Sequence, residues 1–505
     1  MNRINAVIRD DNPLSLFQYV RARGYAGNRM DIPRPERFKH FHGSSVRLKT
    51  SLFHEEESKP FSLDGVHVLE QILLPSYGVT SVKFHGHQSE LLWSFPSAGA
   101  CYPIEIYVAI RSLTGVPPGI YYYAALQASL YKLRDFNEED RFEELLLPED
   151  RQADFYFIVT TVPWRSCWKY SYKGYRFSFI DAGHVTANFQ LVLQCLGLRT
   201  NVYTGTVSNK LRELLQLSPY EDAASVIAVH HTAESDQSTE PVLEQASTVE
   251  RDVWEESHAA VAREAGERPF ARSEAAQDTG IETFDWHPIF LFRNQVDRFR
   301  QEPDRAWLAR HKLPPEWLEY AQALQLIIRR RSSSSYQQRA ISKQSFQHML
   351  QFMQETEMTG ITLYMFIHAV EGIPPGIYRW DGELACVRRG ECRELSASLS
   401  LGQMFVRDCS VLFMYAVDIP TSRQDSYALY QQRLIDAGIL GQLVYLKSQE
   451  MGLGYSAIGG YYDEEVKEVL QLPPEQQVIY AGTWGVDAKD DAIKHDRYRL
   501  NEGGN

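Results

Sequence analysis

The chain has 505 residues, 44% of them hydrophobic and 23% charged, the balance of a soluble protein too long for one ordinary core. A net charge of −13 with no long Lys/Arg tract excludes an extended nucleic-acid surface. The first residues lack the apolar run of a secretory signal, and no stretch approaches the roughly 18 apolar residues of a membrane span. The six cysteines show no CxxC or His/Cys ligand spacing, so a reducing, cytoplasmic setting with no membrane, metal or nucleic-acid partner is expected.

In chain order, the first regular pattern is Ile104-Glu105-Ile106-Tyr107-Val108-Ala109-Ile110, which alternates like a half-buried strand and leads to a Pro-Pro-Gly turn. Ile120-Tyr121-Tyr122-Tyr123 starts the return strand, and residues 155–160 read as a buried strand. A helical period covers His184 to Leu196, stops at Gly197 and is expected to start near Asp181. From about Thr232 to Glu282 the chain turns to Glu, Ser, Ala and Gln, which predicts a polar linker with some helix over 249–265. Beyond it, Leu326-Ile327-Ile328 closes a predicted helix, Val411 to Val417 matches the earlier buried strand, and Leu440 to Met451 is a helix stopped by Gly452.

The second half repeats the first. Gly115-Val116-Pro117-Pro118-Gly119-Ile120-Tyr121 returns as Gly372-Ile373-Pro374-Pro375-Gly376-Ile377-Tyr378, and Asp181-Ala182-Gly183 returns as Asp436-Ala437-Gly438. In the same register Gly197-Leu198 answers Gly452-Leu453, and Gly205 answers Gly460. One Pro-Pro-Gly turn is common punctuation; several matches in one register are a duplication. The expected fold class is α+β in tandem: an N-terminal domain over 1–232, a linker over 233–282, a C-terminal domain over 283–490 and a polar tail over 491–505.

Four segments could carry chemistry. Arg329-Arg330-Arg331 followed by Ser332-Ser333-Ser334-Ser335 offers the guanidinium forks and hydroxyl donors that a phosphate monoester needs. Pro96-Ser97-Ala98-Gly99-Ala100-Cys101-Tyr102-Pro103 is a run of small side chains that lets backbone approach a planar ligand. Lys169 beside Tyr170 could lower the phenol's pKa and make it a proton acceptor. The fourth is the glycine-rich stretch from Gly452 to Tyr461. Each alone has an ordinary account, as a solvated helix end, a tight loop, an aromatic surface loop and a helix stop.

Together and in this order they resemble the nitroreductase superfamily, and within it the SagB-type branch of azoline dehydrogenases that includes the cyanobactin oxidases. The resemblance covers roughly residues 60–232 and 320–486. It rests on Pro-Ser-Ala-Gly-Ala-x-Tyr-Pro at 96–103, Pro-Pro-Gly-Ile-Tyr at 117–121, Lys-Tyr at 169–170, Tyr-Arg-Phe at 175–177 and Asp-Ala-Gly-His at 181–184. It implies two copies of one fold pairing into an intramolecular pseudo-dimer, with FMN at their interface. The family's Arg-x-Ser-x-(Arg/Lys) phosphate motif falls on Arg330, Ser332 and Ser334, with Ser in place of the last basic residue. Its Pro-Ser loop falls on Pro96, Ser97 and Gly99, and its loop near flavin N5 on Gly459 and Gly460. Gly485-Val486-Asp487 stands where further basic residues are usual.

These pieces are divided between the copies. The first has the Pro-Ser loop and Lys169-Tyr170 but no Arg-x-Ser near Leu48-Lys49-Thr50-Ser51. The second has Arg330 and Ser332, but Thr359-Gly360-Ile361-Thr362 and Gln424-Asp425 replace the loop and the Lys-Tyr pair. One FMN per chain is the expectation. By resemblance the reaction is dehydrogenation of a thiazoline or oxazoline ring in a peptide, with Tyr170 as base assisted by Lys169. Dioxygen is then the electron acceptor, and a cyclodehydratase or a second copy of the chain could be a partner. Two alternatives stand beside it: a reductase fed by NAD(P)H, or another dehydrogenase of a peptide- or carrier-bound substrate; and a non-catalytic scaffold that binds a peptide or partner enzyme.

Overall fold

The computed structural model describes residues 34–39, 41, 44–48, 65–85, 88–136, 145–205, 208–231, 280–309, 311–317, 319–356, 360–420, 422–488 and 494–496. Most of the polar linker and most of the tail therefore lie outside the described residues, as do Lys49, Thr50 and Ser51 of the comparison segment.

The first copy runs through β1 (Ser45–Arg47), α1 (Val66–Ser76), β2 (Val79–His85), β3 (Gln88–Trp93), β4 (Ile104–Ile110), β5 (Gly119–Ala124), β6 (Ser129–Arg134) and β7 (Phe155–Thr161). It continues through α2 (Trp164–Tyr170), α3 (Lys173–Cys195), β8 (Arg199–Tyr203), α4 (Ser208–Leu215) and β9 (Asp222–His230). The second copy has α5 (His287–Phe299), α6 (Tyr320–Arg329), α7 (Lys343–Glu355), β10 (Ile361–Ile367), β11 (Gly376–Trp380), β12 (Leu384–Arg389), α8 (Arg393–Leu399) and α9 (Met404–Asp408). After these come β13 (Val411–Asp418), α10 (Ser426–Glu450), β14 (Gly454–Ile458), α11 (Asp463–Leu470), β15 (Gln476–Gly485) and β16 (Lys494–Asp496).

The two main sheets share one strand order. It is β6-β5-β4-β7-β9-β8 in the first copy and β12-β11-β10-β13-β15-β14 in the second, with β1 added at the first sheet's edge. The repeat in the sequence is thus a repeat in topology, an α+β pseudo-dimer within one chain. Near the C-terminus, β16 crosses back to pair with β2, His495 opposite Val82.

Strand β4 departs from the half-buried reading, because both its faces are covered. Ile104, Ile106, Val108 and Ile110 enter the core under the helices, while Tyr107 and Ala109 pack into a second apolar layer. Glu105 is tolerated there because Arg165 meets it at 2.5 Å, the paired and hydrogen-bonded state a buried charge requires. The central helices are longer than their apolar period suggests. α3 starts at Lys173, not near Asp181, and every residue from Gly174 to Leu193 is buried. A helix covered on all sides has no polar stripe to mark its first turns.

Helices α3 and α10 cross at matching glycines. A Cβ on Gly183 would stand 2.8 Å from Gly438 Cα and closer still to the Ile435 carbonyl. A Cβ on Gly438 would stand 2.9 Å from Gly183 Cα and closer to the Ile180 carbonyl. Those neighbours are backbone, which cannot rotate away. Gly183→Ala should therefore destabilise the chain by about 1–3 kcal/mol, the usual cost of overpacking, and this outweighs the roughly 1 kcal/mol that alanine gains in helix propensity. Urea unfolding checks it: a midpoint equal to or above the parent's would show that the crossing is looser than described.

Candidate functional site

The loop after β3 is held in a costly shape. Gly99, Ala100 and Tyr102 have φ of 59°, 54° and 49°, the left-handed region that suits glycine and strains the other two. Pro96 is buried. Ser97 Oγ donates to Asp181 Oδ2 at 2.5 Å and accepts from the Tyr102 N–H at 2.9 Å. Gly99 has no room for a side chain, since a Cβ would come within 2.7 Å of Lys169 Nζ and closer to the Tyr170 hydroxyl.

Lys169 and Tyr170 end α2 directly against this loop. Lys169 Nζ donates to the Gly99 carbonyl at 3.2 Å and lies 5.5 Å from the centre of the Tyr170 ring. Tyr170 packs edge-on against Phe177 at 5.2 Å. Phe177 faces Gly459 of the second copy, where a Cβ would meet its ring at 2.7 Å. Gly460 follows at the end of β14, its carbonyl accepting from Gln403 Nε2 at 3.2 Å. Residues 97–99 and 169–170 thus meet, and Phe177 links them to Gly459 in a cleft across the boundary between copies, whereas Gly460 is placed only by its bond to Gln403.

Arg330 caps α6 and reaches into the first copy. Its Nε donates to the Ser94 carbonyl at 3.2 Å and its Nη2 to the Trp93 carbonyl at 2.9 Å, and its plane sits 5.0 Å over the Tyr445 ring. Burial pulls the guanidinium down to about 10. Its remaining nitrogen, Nη1, is buried with no hydrogen-bond partner among the described residues. Ser332 is exposed and shares a 2.8 Å hydrogen bond with the Tyr445 hydroxyl, which also accepts from the Ala457 N–H. Ser334 is exposed, and Ser333 is the buried member of the run. Arg331 turns back onto the Ile328 and Arg330 carbonyls, and Arg329 is exposed. An unspent guanidinium nitrogen and the Ser332 hydroxyl fit an anionic group, while Gly99 and Gly459 let Lys169, Tyr170 and Phe177 pack directly against backbone. Asp487 does not help, because it stands across Gly454 from Ser333.

Three groups here had no role assigned from sequence. Asp181 was only part of the Asp-Ala-Gly-His signature, yet it anchors the loop through Ser97, and burial raises it to about 7. His184, one turn on, lies 2.9 Å from the Tyr480 hydroxyl and 3.2 Å from Gln442 Oε1, and burial lowers it to about 3, so the ring is neutral. Tyr445 carried no signal, because a tyrosine on the buried stretch of a helix reads as core. No cluster of His, Cys, Asp and Glu suited to a metal ion occurs among the described residues.

The position related to this cleft by the repeat is filled by the chain itself. Residues 306–309 run along β8, with Ala309 N–H donating to the Val202 carbonyl at 2.7 Å and Thr204 N–H to the Trp307 carbonyl at 2.8 Å. Trp307 covers Gly205, the counterpart of Gly460, where a Cβ would stand 2.7 Å from the indole. Gln432, the counterpart of Phe177, donates to the Ala306 carbonyl, and Gln190, the counterpart of Tyr445, donates to the His311 carbonyl. Asp436, the counterpart of Asp181, is paired with Arg433 at 3.3 Å.

Arg330 therefore straps the two copies together whatever else it binds. Arg330→Ala should lower stability, since each hydrogen bond from a charged donor is worth about 1.5–3 kcal/mol, while Ser332→Ala, at an exposed hydroxyl, should leave it within about 0.5 kcal/mol of the parent. Thermal unfolding of both variants checks this, and an unchanged melting temperature for Arg330→Ala would remove the strap.

Comparison with known proteins agrees with this architecture. The nitroreductase family model matches residues 69–230 and 327–486. The nitroreductase homologue MJ1384 of Methanocaldococcus jannaschii is 31% identical over 199 residues, 38% of this chain and 93% of that protein. The trifolitoxin-processing protein TfxB of Rhizobium leguminosarum bv. trifolii is 29% identical over 162 residues, 30% of this chain and 42% of that protein. The microcin B17-processing protein McbC of Escherichia coli is 24% identical over 130 residues, 24% of this chain and 48% of that protein. The chain thus spans less than half the length of either processing protein. A crystal structure of a nitroreductase-like protein from Anabaena variabilis superposes with a TM-score of 0.71 at 22% identity, covering 94% of this chain and 99% of that one, so the shared fold extends over both copies. With the family pattern found once in each half, the chain belongs to the nitroreductase family.

Proposed function

We propose that the chain is an FMN-dependent dehydrogenase that oxidises azoline rings in a peptide to azoles. The observation that carries this reading is the meeting of Lys169 and Tyr170 with Gly99 and, through Phe177, with Gly459 in one cleft between the copies. Similarity to two peptide-processing proteins supports a peptide as substrate. A cyclodehydratase that makes the azoline is the partner this substrate implies, and dioxygen is the acceptor that would complete the cycle.

In this reading Arg330, Ser332 and Ser334 hold the FMN phosphate, and Pro96, Ser97, Gly99, Gly459 and Gly460 line the ring. Bound FMN supplies the acceptor for the hydride that leaves the azoline β-carbon. The protein's own task is the proton on the α-carbon. Tyr170 Oη takes it, and the Lys169 ammonium, fixed on the Gly99 carbonyl, favours the phenolate that does so. The neutral His184 and the Tyr480 hydroxyl are buried against each other and add no charge near Asp181.

The related position is occupied by Trp307 and its neighbours, so purified chain should carry about one FMN. The flavin spectrum against protein concentration checks this, and a ratio near two would mean that residues 306–309 yield to a second flavin.

A paired assay separates the dehydrogenase from an NAD(P)H-fed reductase. Tyr170→Phe keeps the ring against Phe177 and removes only the oxygen. Flavin content and reduction by dithionite should stay at parental levels, while azoline turnover falls by about 10²–10⁴-fold. Lys169→Ala should slow the same step. Parental azoline oxidation by Tyr170→Phe would make the pair a structural feature of the loop.

A further inference from the structure

The loop over residues 97–102 holds two non-glycine residues, Ala100 and Tyr102, at positive φ, a strained arrangement that persists only where something enforces it. Lys169, Arg34 and Arg165 hold the Gly99, Ala100 and Tyr102 carbonyls, and one carboxyl group on α3 ties the loop's N–H and hydroxyl donors together. Asp181 accepts from Ser97 Oγ at 2.5 Å, and the Ala98 N–H also bonds to it. Ser97 Oγ in turn accepts the Tyr102 N–H at 2.9 Å, so Asp181 grips both ends of the strained stretch. The second copy shows the same residue without this task. Asp436 occupies the matching helix position, stays buried, and is paired with Arg433, which also crowds Gly360 where the loop would be.

We propose that Asp181 is the positioning residue that clamps the Ser97–Tyr102 loop in the form that meets the flavin. The inference rests on the flavin reading of the cleft, but the clamp itself does not need flavin to be measured.

The clamp responds to pH. Around Asp181 the facing groups are Cys101 and Tyr102 on the loop, Tyr480 on β15 and His184 on its own helix, with Lys169 on α2 and Arg330 at the end of α6 beyond them. Burial pushes Cys101 up to about 11, raises Tyr102 and Tyr480 further, and lowers His184 to about 3, so none of those four titrates between pH 6 and 8. Asp181, raised to about 7, does. Opening the loop hydrates this carboxyl and returns it towards the ordinary carboxylate range. The closed form therefore binds the proton more tightly than the open one. Its advantage is fully present below the ordinary carboxylate pKa and is lost as pH rises through about 7.

Hydrogen–deuterium exchange of the peptide spanning residues 96–104, corrected for intrinsic rates, tests this in the full chain without flavin. Parent protein should lose protection as pH rises towards 7, by up to about tenfold per unit, and level off between 7 and 8, where both forms have lost the proton. Asp181→Asn, a neutral group of the same shape that keeps an acceptor oxygen for Ser97, should hold the loop closed at pH 8 and show no pH dependence. Asp181→Ala, with no acceptor, should expose it at both pH values. A parental pH slope in Asp181→Asn overturns the proposal even if Asp181→Ala does not fold, and so does full protection in Asp181→Ala. Riboflavin, which carries no titrating phosphate, is then added. Affinity that follows loop protection supports the clamp acting on flavin, whereas loop behaviour as expected with riboflavin indifferent to it keeps the clamp and overturns the flavin reading.

Discussion

Gly183 and Gly438 let α3 and α10 cross with their backbones in contact, and that distance fixes how far apart the two sheets can stand. A side chain at either glycine would push the first copy's loop away from the second copy's β14. The cleft depends on this, because its walls come from both copies: Phe177 leaves α3 and touches Gly459, while Arg330 leaves α6 and grips the carbonyls of Trp93 and Ser94. The crossing carries its own polar lining. Gln442 on α10 donates to Asn188 on α3 at 2.8 Å, and Asn188 donates to the Ser94 carbonyl. In a close-packed interface such groups cost stability unless satisfied, and once satisfied they fix one register of helix against helix.

The same crossing exposes what each copy gave up. Around α3 and α10 the two halves share one strand order, yet at the second of the two related positions the glycines Gly205 and Gly360 are covered by Trp307 and Arg433. There, residues 306–309 add to the edge of β8 by main-chain hydrogen bonds, and Trp307 lies against Gly205. Edge pairing suits such a filler, since it satisfies backbone groups that a ligand would otherwise have to meet. Arg300 stacks 5.8 Å from Trp307 and donates to Gln431 and the Ala428 carbonyl, which secures the inserted segment against α10.

How much of this was legible in the sequence follows from range. The strands at 104–110 and 411–417, the Pro-Pro-Gly hairpins and the repeat register are local patterns, and they emerge with bounds within a residue or two of those read. The starts of α3 and α10 were not legible, because helices buried over most of their surface carry little amphipathic signal. Within the cleft, the loop and Lys169-Tyr170 could be picked out as motifs, whereas the part played by Asp181 could not. Its partner Ser97 is 84 residues away, and only folding brings the two within hydrogen-bond reach. The filled cleft was invisible for the same reason. Trp307 reads as an ordinary aromatic until β8 is beside it.

Fusion of the copies is what permits this asymmetry. In a dimer of identical chains every residue serves both clefts, so a segment that filled one would fill the other, and a loop built for one would be built twice. A change such as Gln424-Asp425 in place of Lys-Tyr would then remove both Lys-Tyr pairs at once. In a fused chain the residue behind Gly459 and the residue behind Thr204 are separately encoded. Phe177 can stay apolar and flat while its counterpart Gln432 becomes a hydrogen-bond donor to the Ala306 carbonyl. The cost of the filled cleft is then only structural, and its gain is additional buried contact that holds α10 and β8 together. One cleft keeps the strained loop and the unspent nitrogen of Arg330, features that weaken a fold. The other is packed like core, and its stability offsets theirs.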